Sequence, residues 1–385
     1  MRSSTSSFER PTAADRPGVA QPVPVRDVPK KPWGAIFVST LIMTALLLGT
    51  WEFHARALAL LPGDLGDGPS AWAEQRRRAD TETSPVVIVG DSRILFDSNL
   101  DRFHALTGVR PIQLALPGTN ARPFLEDLAD DPRFKGLVIV GIADTSYFRE
   151  GIGLMKGALD RNRFESPAQR VTFLLDRALS RLFGFIDDNY RLSTLVLRLD
   201  RGWRQGAAGP YSDVWKLSTV GDDRQTQLWS RIEENEFLQA HARFVWLSRG
   251  SSFNGPPITA TVIKMTQERT RAAVARIRAR GGDVVFVRPP SAPTLRAFED
   301  KRLPRSRGWD PLLAAAHVKG IHFDDVAAMK GLTLPELSHL TPTCALVFTD
   351  AYVRALARIT SRIQLLANAP PALTPTSCAP KQAHF

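Results

Sequence analysis

Apolar residues follow two rhythms along this chain. Near residues 86–89 (Val-Val-Ile-Val), 112–116 (Ile-Gln-Leu-Ala-Leu), 137–141 (Leu-Val-Ile-Val-Gly) and 284–287 (Val-Val-Phe-Val) they form short runs with almost no polar interruption. Runs of this kind suit strands covered on both faces of a parallel sheet. Between the first two runs, Ile94, Leu95, Phe96, Leu100 and Phe103 recur at helical spacing, and Phe124, Leu125 and Leu128 do so before the third. Strand–helix–strand–helix–strand at this spacing predicts right-handed crossovers and a parallel α/β sheet. A weaker fifth strand is predicted at Gly320-Ile321-His322-Phe323-Asp324. An amphipathic helix is predicted over 258–280, its arginines mostly on the wet face and Gly281-Gly282 closing it. A last helix is predicted over 343–366 on Leu346, Val347, Val353, Leu356 and Ile359.

The alternation stops between about 147 and 257. There the spacing of Val171, Leu174, Leu175, Ala178, Leu179 and Leu182 predicts a mostly helical insertion, which holds four of the eight tryptophans and no convincing buried strand. It reads either as a cap beside the active face or as a bundle padding the sheet. The organisation predicted is a disordered tail over 1–32, a membrane span over 33–53 and a polar juxtamembrane linker over 54–84 with Arg76-Arg77-Arg78 solvated. The α/β domain follows over 85–367, with a proline-rich tail over 368–385. The span is predicted because no charged residue stands between Lys31 and Glu52 and tryptophans stand at both ends, Trp33 and Trp51. Lys30-Lys31 precede it, so the positive-inside rule places the N-terminus in the cytoplasm and the rest outside. The stretch is long for a signal peptide, and no small-x-small site is evident after it.

Charge adds little to this picture. The chain of 385 residues carries a formal net charge of +11, three of which fall within residues 1–32. No arginine-rich run with interleaved aromatics and no nucleic-acid motif is present, so the surplus reads as diffuse and no nucleic-acid partner is expected. The two cysteines, Cys344 and Cys378, are too few for a disulfide framework. A helix from Cys344 to Leu366 would advance about 33 Å, and twelve extended residues can return roughly 40 Å. One bridge is therefore within reach, in an outer compartment that permits it; the alternative is a buried Cys344 with Cys378 free.

The chemistry concentrates at two places. Gly90-Asp91-Ser92 breaks the first strand and puts Ser92 at its carboxyl end, where open α/β sheets bind ligands, and at a helix N-terminus, where negative charge is favoured. A helix N-cap is the plainer use of a serine there. Far along the chain stands Pro335-Glu336-Leu337-Ser338-His339-Leu340-Thr341-Pro342. Serine early, acid and histidine late is triad logic: His339 as base, Glu336 orienting it, Ser92 as nucleophile. The charged neighbours Asp91, Arg93 and Asp144 are either substrate-facing or structural. Arg93 is a cation in a first helical turn, which opposes the macrodipole. A substrate carboxylate or phosphate, or a salt bridge to Asp91, Asp97 or Asp144, accounts for it. His322 with Asp324 and Asp325 lacks a further ligand cluster, so no metal and no other cofactor is expected.

With these residues the chain resembles the SGNH (GDSL-like) hydrolase and acyltransferase superfamily over roughly residues 85–367. Gly90-Asp91-Ser92 matches its first block, Gly118 its second, and the Glu336–His339 turn its last. The resemblance implies a three-layer parallel sheet of SGNH type, a serine nucleophile, and an oxyanion hole built partly from the N–H groups of Ser92 and Gly118. The anchor and the Ser-His-Leu-Thr-Pro wording look like the extracytoplasmic branch, which includes alginate and other polysaccharide O-acetylation proteins and the teichoic-acid D-alanylation protein. It therefore implies an acyl, mainly acetyl, transfer onto a cell-envelope or exported polysaccharide, with a multi-span membrane acyltransferase as partner. A carbohydrate esterase using water, and a non-catalytic glycan-binding or assembly protein, are the alternatives. Two positions depart from the family. Its third block carries asparagine where Ala143 stands in Gly141-Ile142-Ala143-Asp144, and Glu336 replaces its aspartate. Losing an oxyanion donor costs about 2.7–4 kcal/mol; Asn120 is the nearest substitute, unless it only shapes a turn.

Overall fold

The computed structural model describes residues 29–150, 153–199, 214–248 and 255–378. The expected disordered tail, but for its last residues, and Trp203 of the insertion lie outside them. By its contacts the chain divides at Trp51 and Glu52. Helix α1 (Trp33–Ala57) is long and apolar enough to cross a membrane, with a mean hydropathy of 1.8 in its most apolar window. At 1.5 Å per residue its 25 residues exceed a hydrocarbon core of about 30 Å.

From Glu52 onward the chain is an α/β unit. Among the described residues its strands are β1 (Val86–Val89), β2 (Ile112–Gln113), β3 (Leu137–Gly141), β4 (Ser218–Val220), β5 (Thr226–Leu228), β6 (Asp283–Arg288) and β7 (Lys319–His322). Five form one sheet in the order β2-β1-β3-β6-β7, parallel throughout, with Val86 opposite Leu137 and Leu137 opposite Asp283. Because successive side chains point to opposite faces, each strand feeds two cores. Val86, Ile88, Ile139 and Val287 pack on one face with α3 (Ser92–Asp97), α4 (Leu100–Thr107) and α15 (Pro342–Ile359). Val87, Val89, Val138 and Phe286 pack on the other with α2 (Pro69–Thr81), α5 (Arg122–Asp130), α12 (Ala260–Ala279) and α14 (Trp309–Ala316). The result is three layers. Helix α13 (Pro293–Arg302) joins β6 to α14.

The segment 54–84 is not a linker. Ala71, Trp72, Gln75, Arg76 and Ala79 make one buried face of α2. Trp72 Nε1–H donates to the Leu114 carbonyl at 2.8 Å. Arg76 is buried rather than solvated because Asp80, Asp127 and Asp131 surround it. Sequence charge hid the helix, since Asp127 and Asp131 lie more than fifty residues from Arg76 along the chain. The C-terminal boundary also moves. Helix α15 ends at Ile359, and the chain folds back over it to a Cys344–Cys378 disulfide with Cα atoms 5.0 Å apart. Arg354 and Arg102 hold the returning segment by its Pro370 and Pro371 carbonyls, so the proline-rich stretch is folded as far as residue 378.

The insertion is mostly helical: α6 (Asp144–Tyr147), α7 (Gly153–Phe164), α8 (Pro167–Ser180), α9 (Leu192–Leu199), α10 (Ser230–Glu234) and α11 (Glu236–Leu247). It also contains the antiparallel pair β4–β5, strands of three residues whose burial is too short-lived to show as a period. The helical spacing of Val171 to Leu182 does mark a helix, but its apolar face points outward.

Candidate active site

Glycine is required where β1 ends. A Cβ on Gly90 would stand 2.2 Å from Ile94 Cγ2 and 2.7 Å from the Gly141 carbonyl oxygen, so only glycine lets the ends of β1 and β3 meet α3. Asp91 then caps α3, its Oδ1 accepting from Arg93 N at 3.1 Å, and Oδ2 lies 2.7 Å from Ser146 Oγ. Ser92 is the first residue of α3. The crossover after β1 runs on one face of the sheet and α5 on the other. Ser92 therefore sits at the topological switch point of the sheet, the usual ligand crevice.

The loop ahead of α15 brings the base to it. Thr341 caps α15, accepting from Cys344 N at 3.3 Å, and Pro342 occupies its first turn. Leu340 N donates to Asp97 Oδ1 at 3.0 Å, and Leu337 takes a left-handed φ of 79° that turns Glu336 and His339 toward one another. His339 Nε2 is 2.8 Å from Ser92 Oγ, and His339 Nδ1 is 3.0 Å from Glu336 Oε1. Glu336 is fully buried. It also accepts from the backbone N–H groups of Ser338 and His339 and from Trp246 Nε1–H. Burial alone would push its carboxyl up, but the charge His339 carries when it is protonated and these hydrogen bonds outweigh it and hold the group below its ordinary value. An ionised Glu336 fixes the imidazole with Nδ1 protonated and Nε2 free to accept from the serine.

Two aromatic rings frame the imidazole. Phe96 of α3 stacks on it with centroids 4.3 Å apart, and Trp246 meets it edge-on at 6.3 Å. Trp246 comes from α11, whose Arg243 donates to the Pro335 carbonyl at 2.9 Å and 2.6 Å. Helix α11 of the insertion thus holds the Glu336–His339 loop from outside. Nothing in the sequence singled Trp246 out among the other tryptophans.

A cavity of about 50 Å3 opens beside Ser92, lined by Asp91, Arg93, Gly118, Thr119, Thr145, Ser146, Arg149 and Ser338. Gly118, at φ 69°, brings its backbone to the cavity wall, and Arg149 holds its carbonyl at 2.9 Å. Asn120 does not line this cavity. Its Oδ1 accepts from Arg122 N at 3.0 Å, which is turn chemistry, and its amide donates to the Arg149 carbonyl of another loop at 3.2 Å. Ala143 offers its backbone carbonyl to Ser146 N and Tyr147 N. The side chain of Asp144 lies outside the described residues. A larger hollow of about 400 Å3, between α2, α7 and α8, includes none of the triad residues.

Arg93 is explained by an acid the sequence did not suggest. Its guanidinium pairs with Glu299 of α13 and lies 3.3 Å from Ser338 Oγ; Arg288, at the end of β6, takes the other oxygen of Glu299 at 2.7 Å. All three are essentially excluded from water. Glu299 stays ionised, its pKa held at about 2: burial raises it, and the two guanidinium charges outweigh the burial. Asp97 is the opposite case. Burial pushes its carboxyl well above the ordinary range despite the Leu340 N–H and the Arg93 charge, and its Oδ1 props the loop through that N–H. His322 accepts from Asp324 N at 3.2 Å and serves the turn after β7.

No protein-family model matches this chain, and no curated protein matches it.

Proposed function

We propose that this protein is a membrane-anchored, extracytoplasmic serine acyl-transfer enzyme of SGNH type, an O-acetyltransferase acting on a cell-envelope or exported polysaccharide. The observation that carries this reading is the continuous Ser92–His339–Glu336 relay at hydrogen-bond distances with its acid fully buried. Ser92 Oγ gives its proton to His339 Nε2 and bonds to the carbonyl carbon of an acyl donor. The N–H groups of Ser92 and Gly118 receive the oxyanion. The tetrahedral adduct then breaks its bond to the donor's leaving oxygen, which takes the proton from His339 and leaves acyl-Ser92. A sugar hydroxyl next gives its proton to His339 and attacks the acyl carbon, and Ser92 departs reprotonated. The cavity beside Ser92 is small, about 50 Å3, which supports a short acyl group over a long chain. One span cannot carry acyl groups across a bilayer, so a multi-span acyltransferase is the partner this reading requires.

Replacing Ser92 by alanine in the full chain, at equal expression, is expected to bring the acyl content of the native envelope polysaccharide down to that of cells lacking the protein. A serine-directed phosphonate should label wild type at Ser92. Unchanged acyl content with a folded variant excludes the nucleophile. The absence of a side-chain amide at position 143, with Asn120 held in a turn, favours a second reading, a glycan-binding protein on the same scaffold, and the same comparison separates the two.

The topology supporting this reading has Lys30-Lys31 on the cytoplasmic side of α1 and the α/β unit outside. The Cys344–Cys378 bridge suits an oxidising compartment. A reporter active only outside the cytoplasm, fused after Phe385, is expected to be active; a well-expressed but silent fusion overturns both the topology and the envelope function.

A further inference from the structure

Helices α8 and α9 wear their faces reversed. On a domain surface the apolar stripe of a helix, about 100° or more wide, faces the core. On α8, Val171, Leu174, Leu175 and Leu179 point outward, with Leu175 at 58 % exposure, and Leu182 continues the stripe just past its end. It is Ser180 that is buried, while Asp176 and Arg177 are half-covered. On α9, Leu192, Val196 and Leu197 are exposed, whereas Arg198 is buried, donating to the Asn189 carbonyl and, at 3.0 Å, to that of Trp215. Two neighbouring helices with polar sides in and leucines out are built for an apolar surrounding.

Where that surrounding lies follows from chain continuity. Glu52 is the first residue after the charge-free stretch that ends at Trp51. Its two carboxylate oxygens accept from Gly184 N and Phe185 N, each at 3.1 Å, four and five residues beyond the end of α8. Gly63 N also donates to the Ser180 carbonyl at 2.8 Å, tying the segment that leaves α1 to the last residue of α8. Leu61 in that segment and Phe53 are themselves mostly exposed. The outward leucines of α8 are therefore continuous with the point where the chain leaves α1.

We propose that the apolar faces of α8 and α9 lie in the lipid headgroup–acyl boundary around the exit of α1, holding the α/β unit at the membrane surface. This rests on the reading of α1 as a membrane span and is independent of the chemistry at Ser92. Amphipathic helices of this kind bury their apolar face about 5–10 Å into the boundary. The occupant is lipid, because the chain just beyond α8 is hydrogen-bonded to Glu52, the first residue after the charge-free stretch, and the first neighbour of such a stretch is the bilayer itself.

The test uses the full chain with its native disulfide, so that a single introduced cysteine takes the label. Leu175→Cys, Leu197→Cys, Leu47→Cys within α1 and Arg271→Cys on the exposed side of α12 each carry a nitrobenzoxadiazole fluorophore. The proteins are reconstituted into phosphatidylcholine vesicles with and without lipid bearing a nitroxide at carbon 5 of the acyl chain. Quenching at positions 175 and 197 is expected to exceed that at 271 by about twofold or more, with quenching at 47 as well. Water-like, unquenched emission at 175 and 197 alongside quenching at 47 overturns the inference and leaves the membrane span standing. Apolar emission indifferent to the nitroxide means that protein, a second copy or another chain, covers the face, and this too overturns the lipid assignment. An unquenched 47 overturns the membrane reading and this inference with it. Quenching at 271 equal to that at 175 and 197 removes any special role for the reversed faces.

Discussion

His339→Ala is expected to slow acylation of Ser92 by about 10^4-fold, the upper range for a positioned general base, while leaving the fold intact. The ring is held in place rather than holding anything else: Glu336 fixes Nδ1, Phe96 stacks on one side and Trp246 closes the edge. Its removal takes the only described proton acceptor within reach of Ser92 Oγ, at 2.8 Å. Glu336→Gln should cost less, by a factor of about ten or more, because the loss of an orienting acid leaves part of the machinery working. Trp246→Phe keeps the ring and deletes one N–H donated to a buried carboxylate, a bond worth about 1.5–3 kcal/mol, so a loss of about tenfold or more is expected. Burst kinetics with an activated acyl ester, read as the rate of acyl-enzyme formation, checks all three. Equal rates for wild type and His339→Ala would show that the serine is not activated by this imidazole.

Strands β1, β3 and β6 were legible because each is apolar on both faces. A run such as Val86-Val87-Ile88-Val89 has few alternatives once Gly90 stops it. The Ser92–His339 pair was legible for a related reason: Gly-Asp-Ser after a strand and Glu-x-x-His before a late helix each occupy a position that the fold brings to the carboxyl ends of the strands. What the sequence concealed was pairing between charges distant in the chain. Arg76 looks solvated beside Arg77 and Arg78 until Asp127 and Asp131 are placed around it. Arg93 looks like a ligand for a substrate anion until Glu299, more than two hundred residues away, is brought against it. Asn120 had a turn role open to it from the start, and its hydrogen bonds follow that one. Periodicity has a complementary blind spot. It found α8 from the spacing of its leucines, but spacing reports that a helix has an apolar face, not which way that face looks.

Glu299→Ala is expected to destabilise the α/β unit by about 3–5 kcal/mol, the cost of leaving buried charges without their counter-ion, and to lower the melting temperature by on the order of 10 °C. The carboxylate is 1 % exposed and is shared by Arg93, Arg288 at 2.7 Å and Ser291 Oγ at 2.8 Å. Alanine removes the carboxylate that two buried guanidinium groups share, in a site that water does not reach. The damage is also local to the chemistry, since Arg93 adjoins Ser92 and its Nε stands 3.3 Å from the hydroxyl of Ser338, next to His339. Acid should mimic the substitution. The folded pKa of Glu299, about 2, lies below the ordinary carboxylate value of about 4.3, so its contribution is complete above the ordinary value and is lost as pH falls through about 2. Glu299→Gln, which keeps the shape and removes the charge, should therefore be less stable than wild type at neutral pH yet show a shallower loss of stability between about pH 4 and pH 2. Urea unfolding at several pH values measures both slopes. Parallel slopes for the two proteins would mean that the paired charges around Glu299 do not hold α3, the helix of Ser92, to α13, and that Arg93 is kept in place by something other than its carboxylate.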